Sequence, residues 1–224
     1  MGLGSRALIG LSQMIVAFGV FLFVPAWSLG FWQAWLYWIV FSLCCFLITL
    51  YFLKHAPKLI EARLHAGPVS EKERSQKIIQ TLASVSLCLV LIIPGIERHF
   101  QKSLVTWWGT LIANGVVILG FVIIFFVFKA NSHASSIIEV KSDQRVVSTG
   151  PYAWIRHPMY AGAMLIFLAT PFALGSWWAL PPAVLLCGSV VWRLLDEEKY
   201  LVKNLPGYEA YRGKTKKRLI PFVW

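Results

Sequence analysis

The sequence predicts an all-α fold, a polytopic helical membrane bundle of five to six membrane segments that ends in a C-terminal helical hairpin. Three observations predict it. Of 224 residues, 58% are hydrophobic and only 14% are charged, with mean hydropathy +0.66. Soluble domains average about 45–50% and about 25%. Four tracts free of Asp, Glu, Lys and Arg run over 7–53, 78–96, 103–128 and 157–192, each near or above the roughly 20 residues with which an α-helix crosses hydrocarbon. Threaded up and down, these tracts put nineteen of the 21 basic residues on one face and only Arg98 and Lys102 on the other. Basic loops stay cytoplasmic, so both termini are expected there. The expected localisation is a multi-pass integral membrane protein, in the plasma or inner membrane of a bacterium or the endoplasmic reticulum of a eukaryote.

The first tract, 47 residues long, would extend about 70 Å as one helix, more than twice the bilayer. Pro25, Ser28 and Gly30 supply turn chemistry, which gives spans near 7–24 and 34–53. A cleaved leader is the weaker reading of the first, since no small-x-small cleavage site follows its apolar core. Residues 54–77 read as a polar, basic connection, and Ser70 with Glu73 reads as a capping box that starts the helix into the third span, 78–96. The fourth span is 104–128. In the last tract Pro171, Gly175, Ser176 and Pro181-Pro182 divide a hairpin into 158–173 and 181–198, with Trp177 and Trp178 near its tip. Prolines suit the first turn of the return helix. The chain divides into N-terminal transmembrane helices, 1–128, and a C-terminal region, 129–224, that holds the hairpin.

The same pattern excludes several classes. A net charge of +11 would suggest nucleic acid in a soluble protein. Its confinement to one face of a membrane bundle reads as orientation, so no nucleic-acid partner is expected. Cys44, Cys45, Cys88 and Cys187 lie in apolar tracts with no metal-ligand spacing, so no metal is expected. Spans 1–4 carry no ionisable residue at depth, which argues against ion translocation.

Ionisable residues at the membrane edge are the functional suspects, and they cluster around the hairpin. His157-Pro158 starts a membrane helix, whose first-turn N–H groups attract anions. Arg193 and Glu197, four apart, share one helix face. A hairpin brings its ends together, so His157, Tyr160, Arg193 and Glu197 are expected to converge in one cytoplasmic pocket. The competing reading of Arg193 and Glu197 is a surface ion pair.

Six short motifs occur in order: Asn131-Ser-His133, Val146-Val-Ser-Thr-Gly-Pro-Tyr152, Arg156-His-Pro-Met-Tyr160, Arg193-x-x-x-Glu197-Glu198, Gly207-Tyr-x-x-Tyr211 and Arg218-Leu-Ile-Pro221. On these, residues 131–221 resemble the isoprenylcysteine carboxyl methyltransferase family, which is related to the phospholipid methyltransferases. The resemblance implies a cytosol-facing pocket for S-adenosylmethionine and a bilayer entrance for a lipophilic or small acceptor, whether carboxylate, amine or thiol. It implies cofactor contacts at Gln144, Arg145, Val146, Val147, Tyr152, His157, Pro158, Met159, Tyr160, Glu197 and Glu198, and, once a gap is allowed, at Glu139. Arg193 matches the arginine that faces the acceptor, and Arg193, Glu197 and His157 are the catalytic candidates. For a thiol or amine, His157 or Glu198 would take the proton. Ala134 stands where the family favours Phe. Methyl transfer from a sulfonium needs alignment and electrostatics rather than a metal. Two other classes compete: a membrane NADPH-dependent reductase of related architecture, and a non-catalytic membrane protein.

Overall fold

The computed structural model describes residues 2–64, 73–100, 105–131, 146–220 and 224. Among these the chain forms helices α1 (Leu3–Ala26), α2 (Trp32–His55), α3 (Pro57–Leu64), α4 (Arg74–Phe100), α5 (Trp107–Ala130), α6 (Pro158–Ala173), α7 (Leu180–Asn204) and α8 (Tyr208–Lys214), with one tight helical turn at Gly150–Ala153. No strand occurs among the described residues. Helices α1, α2, α4 and α5 are long and apolar enough to cross a membrane, and α6 is a shorter apolar helix. The expected helical membrane bundle is the observed fold.

The breaks fall where turn chemistry placed them. The α1 helix ends at Trp27, whose backbone is left-handed (φ 47°) and whose N–H bonds to the Val24 carbonyl. Helix α7 begins with prolines in its first turn. Two sequence expectations change. The connection after α2 is not merely polar, because Pro57 opens the short helix α3, which buries Leu59 and Ile60 against Ala7, Phe52, Val127 and Phe128. Helix α4 starts at Arg74, so Glu73 lies just before it, with its carbonyl accepting from the Lys77 N–H. A capping box would have put Glu73 inside the first turn. Its partner Ser70 lies outside the described residues, as do Lys72, Lys102, His133, Glu139, Lys141, Gln144 and Arg145.

Helix packing closes a ring. Helix α1 packs on α2 and α4, α2 on α5, α5 on α6, α6 on α7, and α7 on α4. Helix α6 also touches α2 and α4, which puts it nearest the middle. It meets α5 backbone to backbone: a Cβ on Gly120 would lie 2.7 Å from the Gly162 carbonyl, and one on Gly162 would lie 2.9 Å from the Gly120 carbonyl. Large apolar side chains such as Val16, Val20, Ile39, Leu47, Ile112 and Leu119 point outward and are exposed. In water this would be costly. In lipid it is the expected surface.

The two ends of the bundle differ. At one end, exposed Trp27, Trp32, Trp107, Trp108, Trp177 and Trp178 form the aromatic belt typical of a membrane interface. There the buried Glu97 of α4 accepts a hydrogen bond from Ser176 Oγ and lies 3.4 Å from the Trp178 N–H. This locks the hairpin tip level with the α1–α2 turn, so the hairpin runs the full height of the bundle. The other end holds α3, the start of α6, the end of α7 and α8, and it carries the candidate site.

Candidate functional site at the basic end

The site is built where the two ends of the hairpin meet the C-terminal segment. Residues 215–218 run alongside the entry to α6. The N–H groups of Arg156 and His157 donate to the carbonyls of Lys217 and Arg218, both at 2.9 Å. Arg156 Nη1 donates to the Thr215 and Lys216 carbonyls. Glu198, reaching over from α7, ties the pieces together. Its Oε1 accepts from Arg156 Nε at 2.7 Å and lies 3.3 Å from His157 Nε2, while its Oε2 accepts from Arg218 Nε at 2.9 Å. Arg156, His157 and Glu198 are all buried. A carboxylate held on three sides is a fastener, with three of its roughly four lone-pair sites committed.

Glu197, one residue earlier, faces differently. Its Oε2 accepts from the Tyr160 hydroxyl at 2.5 Å, a short, charge-assisted contact. The Tyr160 ring stacks on His157 with 5.7 Å between centroids, and its hydroxyl is also within hydrogen-bonding reach of Arg193. Arg193 Nη1 donates to Gln76 Oε1 at 3.0 Å, and Gln76 Nε2 donates to Asp196 Oδ2. His157, Tyr160, Arg193 and Glu197 therefore stand together, as the hairpin argument expected.

A cavity of about 370 Å³ opens beside them, walled by apolar groups such as Ile79, Leu87, Ile124, Phe167 and Leu186. Tyr160, Met159 and Arg193 line it. Its volume lies at the small end of the range for small-molecule pockets, about 300–1,000 Å³.

Tyr152 sits on the other flank. Its hydroxyl accepts from Asn131 Nδ2 at 3.2 Å, and its carbonyl accepts from the Tyr211 hydroxyl at 2.7 Å. Gly207, left-handed at φ 84°, turns the chain into α8, which buries Tyr208 and Tyr211 against Val146 and Tyr152. Val147 lies beside Val146 in the segment before the turn. Burial pushes the Tyr152 and Tyr208 hydroxyls up and the Tyr211 hydroxyl up to about 12, so all three stay protonated at neutral pH.

The residues present suit a ligand that carries both charges. The Glu197 carboxylate suits a sulfonium or ammonium cation. The N–H groups of Met159 and Tyr160, in the first turn of α6 behind Pro158, have no intrahelical acceptor and suit an anion. The Tyr208 hydroxyl is buried with no hydrogen-bond partner, an unused donor beside this region. Three residues escaped the sequence reading as site members. Arg156 and Arg218 appear in the motifs, but nothing marks them as partners of Glu198. Gln76 is a polar residue in register with buried Ile79, Ser86 and Val90 on one face of α4, a signal that was available.

Comparison with known proteins agrees with the resemblance. Residues 104–206 match the phospholipid methyltransferase family. The chain is 37% identical over 79 residues to the protein-S-isoprenylcysteine O-methyltransferase of Schizosaccharomyces pombe, a match covering 33% of this chain and 32% of that protein. It is 30% identical over 143 residues to the protein-S-isoprenylcysteine O-methyltransferase of Saccharomyces cerevisiae, covering 56% of this chain and 54% of that one. The matches thus span about a third and about half of these relatives.

Proposed function

We propose that the protein is an integral membrane methyltransferase that uses S-adenosylmethionine and methylates the carboxylate of an acceptor with an apolar tail. The observation that carries this is that Tyr160, hydrogen-bonded to Glu197, and Arg193 stand together at the wall of an apolar cavity. Residues 129–224 would bind the donor and carry the chemistry, while α3, α4 and α5 of 1–128 wall the acceptor cavity together with α6 and α7. The basic end, with both termini, would face the cytoplasm. The names of the matched relatives support the activity, and the geometry favours one acceptor class.

When bound, the donor supplies a methyl group on a positively charged sulfur. The chain aligns and neutralises. Glu197, held by Tyr160, offers negative charge to the cation. Tyr152, the backbone at Val146 and Val147, and the start of α6 at His157, Pro158 and Met159 enclose the remainder. Gln144, Arg145 and Glu139 are proposed contacts on the resemblance. Arg193, oriented by Gln76, offers a cation to the acceptor head. A carboxylate arrives deprotonated and its oxygen attacks directly, so no base is required. An amine or thiol must lose a proton, yet of the two groups expected to take it Glu198 is bound to Arg156 and Arg218, and His157 Nε2 faces that same Glu198 carboxylate. The carboxylate acceptor is therefore favoured over the other two.

The test uses the purified full chain in lipid nanodiscs. Calorimetry should show saturable binding of S-adenosylmethionine. Membranes incubated with isotopically labelled donor should accumulate base-labile label, the mark of a methyl ester. Folded protein that binds no donor overturns the proposal, and binding of NADPH in its place supports the reductase class. Base-stable label in lipid headgroups moves the acceptor to an amine.

A further inference from the structure

Arg63 is a second cation in the same cavity, and it belongs to none of the motifs. It sits on α3 and lines the cavity with Arg193, which enters from α7. A guanidinium has five N–H donors. Here Nη2 reaches Met159 Sδ at 2.9 Å, a weak thioether acceptor, and the Nε–H is buried with no partner. The group lies 4.1 Å over the Phe128 ring, a contact that holds its plane without satisfying its donors. Burial pushes it down to about 10, so it is still cationic at neutral pH.

An under-satisfied, half-buried guanidinium is costly unless something completes it. No carboxylate among the described residues does so, since the only acceptor bonded to Arg63 among them is Met159. The position is not accidental, because α3 is anchored by buried Leu59 and Ile60. We propose that Arg63 binds the carboxylate of the methyl acceptor together with Arg193, so that the acceptor head is gripped by one arginine from α3 and one from α7. This rests on the carboxylate reading above and adds the residue that enforces it. Two cations around the head group would repel an ammonium and welcome an anion. Planar guanidinium donors match a carboxylate in two-point fashion.

The same chemistry has two other sources, the donor's own carboxylate and a lipid phosphate, and the experiment separates them. Wild type, Arg63→Lys and Arg63→Met are compared in nanodiscs by calorimetry. The probes are S-adenosylmethionine, an N-acetyl-S-prenylcysteine, the matching carboxamide and a lysophosphatidylethanolamine. Arg63→Met should bind the free acid at least tenfold more weakly, and Arg63→Lys should recover part of the loss. The carboxamide should bind all three proteins alike. Donor affinity should stay within twofold, which also shows the variant is folded. Equal binding of the acid by wild type and Arg63→Met overturns the role of Arg63. So does an equal loss for the carboxamide, which would mean packing, or a loss confined to the donor or to the phosphate probe. A wild type that binds the donor but not the acid overturns the carboxylate reading itself, and this inference with it.

Discussion

Glu198 should act as the latch of the site, and removing it should release the C-terminal segment from α6. In Glu198→Ala the buried Arg156 guanidinium loses its counter-charge and keeps only the Thr215 and Lys216 carbonyls. Breaking one side of a buried ion pair costs about 3–5 kcal/mol. The two retained carbonyls favour the lower figure, and the partly exposed Arg218 adds little. About 3 kcal/mol corresponds to a roughly 150-fold shift toward the opened state at about 1.4 kcal/mol per tenfold. The amides that report it are those of Arg156 and His157, which donate to Lys217 and Arg218. Hydrogen exchange of the full chain in nanodiscs, followed by mass spectrometry, should show residues 154–160 exchanging on the order of 100-fold faster, while α1 and α2 are unchanged. Glu198→Gln, which keeps an acceptor, should give a smaller acceleration of about tenfold. Unchanged exchange at 154–160 in Glu198→Ala would refute the latch. So would acceleration spread evenly over the bundle, which would make Glu198 a general stability residue.

Three further outcomes follow from the geometry. Gly162→Ala places a Cβ 2.9 Å from the Gly120 carbonyl and should cost about 1–3 kcal/mol of stability, read as a lower unfolding midpoint in detergent. Gly188→Ala, inside α7 with nothing within 4 Å, should not lower the midpoint, since alanine is the better helix former. Tyr160→Phe removes the hydroxyl that holds Glu197 and should weaken donor binding or slow turnover about tenfold, since a hydrogen bond to a charged group contributes about 1.5–3 kcal/mol. Its unfolding midpoint should move little. Glu97→Ala, at the opposite end, should do the reverse, lowering the midpoint by depriving the Ser176 O–H of its acceptor and changing donor affinity less than twofold.

The elements set by local chemistry could be read from the chain, and those set by tertiary contact could not. The breaks at Pro25–Gly30 and Gly175–Pro182 depend on turn residues that act where they stand, so their positions were legible. Helix α3 was not, because its eight residues mix Lys58, Glu61 and Arg63 with Leu59 and Ile60. Only burial of that pair against α1, α2 and α5 makes the segment a helix worth forming. For the same reason Arg63 read as one more solvated cation in a basic loop. The convergence of Tyr160 with Glu197 was legible, since a hairpin returns its ends to one place. The attachment of Glu198 to Arg156 and Arg218 was not, because it needs the chain after α8 to fold back along the start of α6.

The site also depends on helices that carry none of its motifs. The 2.5 Å contact between Tyr160 and Glu197 joins α6 to α7, so it holds only if the two keep their relative height and rotation. Helix α6 takes its position from α5, through the Gly120–Gly162 crossing that admits no side chain. Helix α7 takes its position from α4, through Arg193 and Asp196 on Gln76 at one end and the Glu97–Ser176 bond at the other. Packed interfaces of this kind have few alternative arrangements. A substitution in α4 or α5 that shifts either contact therefore acts on the site as a displacement, and positioning errors near 1 Å are costly to an aligned reaction. The N-terminal helices thus do more than anchor the chain, because they set the separation at which Tyr160, bonded to Glu197, and Arg193 face the cavity.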